Sequence, residues 1–534
     1  MKRRWIAGLQ VVILLLLSSA CTNPTNLSLL SDPSQVAASA PLLYLQGDSL
    51  YCLTSGKSAV KIEKGLSVEE TDPNGIPALI PSVKGIFRIS PDKKQLAYVT
   101  EPQDEYADLH VASTERQNTQ VISEVCLGFR STPMHIDNPF LFAPDGHLYY
   151  LKADKDAVSI DLYRYIDGQN ELVVQNAVNF FIEESGQYLF YTSAIEYSQE
   201  EKEQLAGHNE STEFINLYST KFQMDKYRLI RMELKTGKTL ILSETASDMF
   251  YPTKDYIDFS QDYNVTTGKS VQKRYSNGQV IDSPQTTFKL TDKQKYCLQI
   301  DDNTIIYRDQ DENGYFLWLR GQTPQRIEDY EYNHVHIQDP DKAKEMPYMT
   351  DQHELSFVSS LDGTIYYWDQ NQKNNDETEN LFSFKIDDGK IVDKKSVASQ
   401  VLDCQTLAPK MNGVLCTKKK DAAIGSNDDY ETVYHVNGKT VLLGDNISVH
   451  VKNYLDGGLF FTRTVDAKRG SRDLYRLDGD TVQKIKSDIT SFCIANGQVY
   501  TAVFKDKAWD IYSDGQLVAQ NVHGVVDVLT GTYY

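Results

Sequence analysis

Asp309-Gln310-Asp311-Glu312-Asn313-Gly314 is the stretch most suited to holding a metal ion. Asp309, Asp311 and Asn313 set oxygen donors at alternate positions, and Gly314 stands where a calcium loop must turn sharply. The twelfth position of such a loop should supply a bidentate carboxylate, and here it is Arg320. Two readings stay open: a calcium site on Asp309, Asp311 and Asn313, or a polar hairpin tip between IIYRDQ and YFLWLRG. His334-Val335-His336 puts two imidazoles on one side of an extended segment, as zinc or copper sites do, and a third ligand would have to come from elsewhere. A Gly-x-Ser-x-Gly nucleophile elbow is absent, and no alternation of strands and helices exists to carry one.

Composition narrows the choice further. The chain has 534 residues with 54 Lys plus Arg against 74 Asp plus Glu, a formal charge of −20. A surface this acidic repels the phosphate backbone, so nucleic acid is not expected as a partner. The length exceeds the roughly 250 to 300 residues that one hydrophobic core organises, so the chain must divide or repeat. Beyond Cys21, six cysteines are dispersed at 52, 126, 297, 404, 416 and 493, most of them in apolar strand-like runs. Buried free thiols are the expectation, with Cys404 and Cys416 as the one close pair and no Cys-x-x-Cys or haem-attachment pattern.

What must position any site is a repeated hairpin. Strand-like runs begin at Leu96, Leu148, Leu189, Ile305, Ile365, Val414, Leu459 and Val499, each shortly after a turn such as Ser90-Pro91-Asp92, Asp362-Gly363, Asn412-Gly413 or Asn496-Gly497. A second run follows each, as in LYRYIDG from Leu162, VYHVNG from Val433 and LYRLDG from Leu474, and a third, shorter one follows the closing glycine. With the run before the turn, each unit reads as a four-stranded antiparallel meander. The long interval between Leu189 and Ile305 leaves room for one degenerate unit near 250–290, and 42–63 looks like a unit lacking its first strand. In Val499 to Phe504 both alternating sets of side chains are packing groups, which a sheet with one wet face would not need.

The Ser/Ala-Pro-Asp-(Gly)-x-x-Leu-x-Tyr units followed by Asp-Leu-Tyr-Arg resemble TolB-like, WD40-like β-propeller repeats, over roughly residues 42–531 and most strongly at 90–113 and 143–168. The fold expected is all-β, a β-propeller of about eight four-stranded antiparallel blades over 41–534. Val525-Val526-Asp527-Val528-Leu529 reads as a first strand without a unit, so the N- and C-terminal strands should pair and close the ring. Insertions are expected near 195–226, 328–353 and 370–380; Ser198-Gln199-Glu200-Glu201 opens a short helix with a capping box, stopped at Gly207. Some TolB-like propellers cover serine peptidases, but the peptidase elbow is not present here. Thr236-Gly237-Lys238 and Thr267-Gly268-Lys269 resemble quinoprotein propeller repeats without the tryptophan that follows in that family, so no quinone is expected and calcium is the one cofactor considered.

The first twenty residues read as a secretion signal: Lys2, Arg3 and Arg4, an apolar run from Trp5 to Leu17, then Ser18, Ser19 and Ala20. Leu17-Ser18-Ser19-Ala20-Cys21 resembles the lipobox of bacterial lipoproteins, with Ser18 where that family prefers an aliphatic residue. The resemblance implies acylation of Cys21 and a membrane anchor, followed by a polar tether over 21–40. The expected function is a lipid-anchored, extracytoplasmic, non-catalytic module that binds a protein or cell-envelope ligand, with a hydrolase or lyase acting on envelope glycans as the alternative.

Overall fold

The computed structural model describes residues 40–526 except 65–84, 101–104, 129–138, 206–213, 253–255, 265–268, 284–287, 289, 292, 302, 330–352, 372–378, 408–410, 421–429, 446 and 467–468. Among the described residues the chain is nearly all strand, with two short helices.

Ten antiparallel meanders follow one another, at 42–64, 85–126, 140–174, 177–246, 246–282, 294–329, 353–401, 401–444, 447–489 and 491–522. Eight contain the strong sequence runs. The other two, at 42–64 and 246–282, are the regions where the sequence pattern is weak, so the expectation of about eight blades undercounts the meanders. Two long strands hide the boundaries. Thr239–Pro252 pairs with the fourth meander up to Ala246 and with the fifth from Ala246 onward, and Lys390–Thr406 changes partner at Val401. Many hairpins turn through Asn-Gly or Asp-Gly with both central residues at positive φ, as at Asp167-Gly168 (48° and 85°) and Asn437-Gly438 (50° and 73°). That backbone matches the twist of the flanking strands, which is why these dipeptides mark hairpins in sequence.

The meanders pack face to face, and strand alternation shows how. In Leu42–Gln46, Leu43 and Leu45 enter a core shared with Phe87, Leu96 and Tyr98 of the second meander, while Leu42 and Tyr44 enter one shared with Tyr500, Trp509 and Ile511 of the tenth. Comparable clusters bridge the second to third, third to fourth and fourth to fifth meanders. They continue from the sixth through the tenth. Phe288, in the segment that connects the fifth meander to the sixth, packs on Trp318 of the sixth with ring centroids 5.1 Å apart. This sheet-on-sheet succession is a propeller-type architecture.

The last described strand, Gly524–Val526, pairs antiparallel with Leu42–Gln46, matching Leu43 to Val526 and Leu45 to Gly524. It supplies the first meander with the strand that its own sequence lacks. Of the expected insertions, 195–226 holds helix α1 (Gln199–Leu205) and helix α2 (Phe214–Lys221). The Ser198 N–H donates to Glu201 Oε2 at 2.7 Å and the Glu201 N–H to Ser198 Oγ at 3.3 Å, the reciprocal bonds of the capping box. Helix α2 was not anticipated; it buries Tyr218 completely in the core between the third and fourth meanders. Gly207 and nearly all of the insertions at 328–353 and 370–380 lie outside the described residues.

Cys404 and Cys416 form a disulfide, which corrects the expectation of free thiols at these positions. They are directly opposed in register on neighbouring strands, with Cα atoms 4.2 Å apart. Cys52 and Cys126 are buried free thiols, and Cys493 is buried and outside any disulfide.

Val525 and Val526 are both 5% exposed, one on each face of the first sheet. Deleting residues 525–534 should therefore lower unfolding stability by roughly 3 to 6 kcal/mol at ~1.5–3 kcal/mol per buried valine. Val526→Asp should reproduce about half of that loss in urea unfolding, and unchanged midpoints for both variants would dismiss the terminal strand as a latch.

Candidate functional site

A cavity of about 300 Å³ opens between the seventh and eighth meanders. In an up-and-down meander the first and third turns emerge at the same end of the sheet. Here the 360–364 turn of the seventh meander and the 437–438 turn of the eighth form the rim on that side. Within the eighth meander glycine is required at position 413, which has φ of 86°: a Cβ there would lie 2.3 Å from the His435 carbonyl oxygen on the neighbouring strand. The Gly413 N–H also donates to Ser360 Oγ at 2.6 Å, tying the eighth meander to the turn of the seventh.

The polar lining comes from cross-strand pairs. Tyr366 faces Ser383, and His435 faces Thr440. On the turn, Asp362 accepts the Thr364 N–H at 3.2 Å, the Thr364 hydroxyl at 3.0 Å and Lys385 Nζ at 3.2 Å. Burial alone would push the Asp362 carboxyl up, but these hydrogen bonds and the Lys385 charge outweigh it and hold the group below its usual range. The rim also carries Asp393, Lys395 and Lys439, and Lys439 pairs with Asp480 of the ninth meander. Lys395 is exposed and has no ion-pair partner among the described residues.

His435 is 4% exposed. Its Nδ1 lies 2.9 Å from Thr440 Oγ1, whereas its Nε2 is buried with no hydrogen-bond partner. Burial, with a smaller contribution from the Lys418 ammonium, pulls the imidazole down to about 4, so it is neutral near pH 7. Among the described residues no carboxylate lies within ion-pairing distance of it. A neutral imidazole, five hydroxyl-bearing side chains and a balanced set of lysines and aspartates can orient a polar ligand through hydrogen bonds. A base this weak is poorly matched to proton abstraction at neutral pH.

The sequence-derived candidates fall elsewhere. Asp309, Asp311 and Asn313 occupy a hairpin turn of the sixth meander, where the protein itself takes up most of their oxygens. Asp309 Oδ1 accepts the N–H groups of Asp311 at 2.9 Å and Glu312 at 3.1 Å, and its Oδ2 accepts Gln294 Nε2 at 2.5 Å. Asp311 pairs with Lys293 at 2.7 Å, and Arg326 Nη1 donates to the Asn313 carbonyl at 3.2 Å. Among the described residues no group of three or more His, Cys, Asp or Glu side chains is arranged to hold a metal ion. His334, His336 and Cys21 lie outside the described residues. The sequence reading passed over His435, since a single histidine inside VYHVNG looks like core; the polar turn Asp362-Gly363 beside it was visible only as a turn.

No family model and no curated protein matches this chain. Among solved structures, it is similar to the β-propeller domain of the Trilobed protease from Pyrococcus furiosus, at 10% identity over 67% of this chain and 97% of that one, with a TM-score of 0.26. It is similar to a putative TolB from Agrobacterium tumefaciens at 11% identity, over 59% of this chain and 81% of that one, with a TM-score of 0.22. It also aligns with an acylaminoacyl peptidase in complex with Z-Gly-Gly-Phe-chloromethyl ketone, at 10% identity and a TM-score of 0.27, over 73% of this chain but only 57% of the peptidase. At TM-scores this far below 0.5 these likenesses carry no argument.

Two outcomes are expected. Because His435 titrates near 4 when folded and near 6.5 when unfolded, the unfolded chain takes up a proton first. The stability tied to the neutral imidazole is whole above about pH 6.5 and falls by on the order of 3 kcal/mol as pH drops to about 4. His435→Gln should flatten that limb in unfolding curves measured across this range, and an unchanged limb would show that another group is responsible. Calcium added to the full chain should release no heat in calorimetry, whereas Asp309→Ala, which strips the turn of three hydrogen bonds, should cost roughly 2–4 kcal/mol of stability; saturable calcium binding lost in Asp309→Ala would reverse the assignment.

Proposed function

We propose that this chain is a lipid-anchored, extracytoplasmic β-propeller whose ten meanders close into one ring, acting as a non-catalytic binding module for a protein or cell-envelope ligand. Closure is supported by the pairing of Gly524–Val526 with Leu42–Gln46 and by the core that the first meander shares with the tenth. The anchor rests on the leader ending in Leu17-Ser18-Ser19-Ala20-Cys21. The Cys404–Cys416 disulfide agrees with an oxidising compartment outside the cytoplasm.

The observation that carries the binding reading is the state of the cavity. Its rim carboxylate Asp362 is neutralised by Lys385, and its imidazole is held by a threonine instead of an acid. One observation favours the alternative, a hydrolase or lyase acting on envelope glycans: Asp362 and Asp393 line the same cavity as His435.

Cys21→Ala should abolish palmitate labelling and move the protein from the membrane to the soluble fraction, because two or more acyl chains are needed for stable anchoring. A pull-down from membranes with the anchored protein should retain a partner or wall fragment. An anchored protein that releases soluble sugar from purified cell wall, and loses this on Asp393→Asn, would replace binding with catalysis.

A further inference from the structure

Followed from meander to meander, the shared cores break at one place. The first meander shares a core with the second, and the series continues through the fifth. Another series runs from the sixth to the tenth and passes on to the first beside the terminal strand. Among the described residues no such core joins the strands of the fifth meander to those of the sixth. The stack therefore begins at the sixth meander and ends at the fifth, with the terminal latch in its middle.

The two faces at this junction are built unlike the rest. In the fifth meander, which departs from the two-sided apolar pattern, Phe250, Ile257, Phe259 and Tyr275 turn toward the fourth. Cross-strand register places Asp258 with Arg274, and Ser260 with Gln272, on the opposite face. Arg274 is completely buried and donates through Nε and Nη2 to the two oxygens of Asp258 at 2.7 and 2.8 Å. Its guanidinium carbon lies 3.4 Å from the centre of the Tyr256 ring. The charge is thus met inside the same meander. In the sixth, Ile305, Tyr307 and Phe316 form a face that Phe288 of the connecting segment, 2% exposed, packs over together with Leu290. The first strand of that meander, Gln294–Asp301, contains no buried residue, whereas Ala177–Ile182 and Gly524–Val526, the first strands of their own sheets, are buried throughout. Tyr296 on the exposed strand has its phenol pushed up to about 12 by partial burial, with a smaller upward contribution from Tyr256, which puts the two tyrosines near each other across the junction.

Parting two sheets costs free energy in proportion to the apolar area they share. At the other junctions that area is an aliphatic and aromatic core contributed by both sides. Here the fifth meander presents hydrogen-bonded polar groups, and the sixth keeps Phe288 as its cover whether or not the fifth lies alongside. A polar outer face is how stacked repeats finish their terminal units.

We propose that the ring opens at the junction of the fifth and sixth meanders while the terminal strand keeps the tenth and first together, making this seam a lateral entrance to the interior. The inference rests on the reading of the chain as a closed ring and adds the place where that ring parts.

The test is pulsed dipolar spectroscopy on nitroxide pairs in the full chain in detergent. Gln279→Cys with Thr323→Cys spans the seam, and Ser58→Cys with Gln516→Cys spans the latch; all four positions are exposed and lie at or beside the turn that precedes a fourth strand. Cys297 is half-buried and would also take label, so both pairs carry Cys297→Ser, whereas Cys52, Cys126 and Cys493 are buried. The seam pair should give a distance distribution roughly twice as broad as the latch pair, as a hinged opening does. Asp258→Leu combined with Arg274→Leu gives the fifth meander a second apolar face and should narrow the seam distribution to the width seen at the latch. Equal narrow widths at both junctions, or a seam width unaltered by the two leucines, would overturn the proposal. The labelled pairs alone decide the matter if the leucine variant does not fold. A latch pair as broad as the seam pair would withdraw ring closure, and this proposal with it, so failure of that reading is told apart from failure of the seam.

Discussion

The constraint on which everything else depends is that these sheets are apolar on both faces. Along Leu42–Gln46 every side chain from Leu42 to Leu45 is at most 4% exposed, and successive residues point into different cores. Each such aliphatic group left in water would cost ~1.5–3 kcal/mol, so the first meander needs a covering neighbour on each of its faces. The first and last meanders of a linear stack would each leave one face bare. Pairing of the C-terminal strand with the N-terminal meander brings those two faces together, and the core containing Tyr44, Tyr500 and Trp509 is the result.

The same stacking makes the grooves. Where sheets splay apart near their turns, side chains too polar for the core reach the gap between meanders, and the identity of a few residues decides what each gap can do. Tyr165 and Gln120 satisfy each other in one gap. In the other, Asp362 and Lys385 neutralise each other while His435 is held neutral by burial and keeps a free nitrogen.

Several features were beyond the sequence pattern for identifiable reasons. The fourth and fifth meanders share the strand Thr239–Pro252, so no turn marks their boundary and a count based on turns misses it. Helix α2 carries only Ile215 and Tyr218 as buried contacts; at eight residues it is held by the tertiary core it docks on and shows little periodicity. The disulfide depends on register: Cys404 and Cys416 are opposed only because the strands between them are paired in that alignment, and a shift of one residue would send the two thiols to opposite faces. The calcium-like spacing at 309–314 describes a tight polar turn equally well, since an aspartate that caps its own turn and one that binds a cation occupy the same positions in sequence.

Local chemistry determined the strands, the Asn-Gly and Asp-Gly hairpins and the two-sided apolar pattern, because backbone dihedral preference and side-chain alternation act over a few residues. It also made the incomplete unit at 42–64 and the spare strand near 525 recognisable as halves of one sheet. Tertiary structure alone decided the cavity. His435 and Asp362 are more than seventy residues apart and line one cavity because the seventh and eighth meanders pack side by side, with the Gly413 N–H bonded to Ser360 Oγ. Burial, which sets the charge of that imidazole and leaves its Nε2 unpaired, is a property of the surrounding atoms and has no counterpart in any short stretch of sequence.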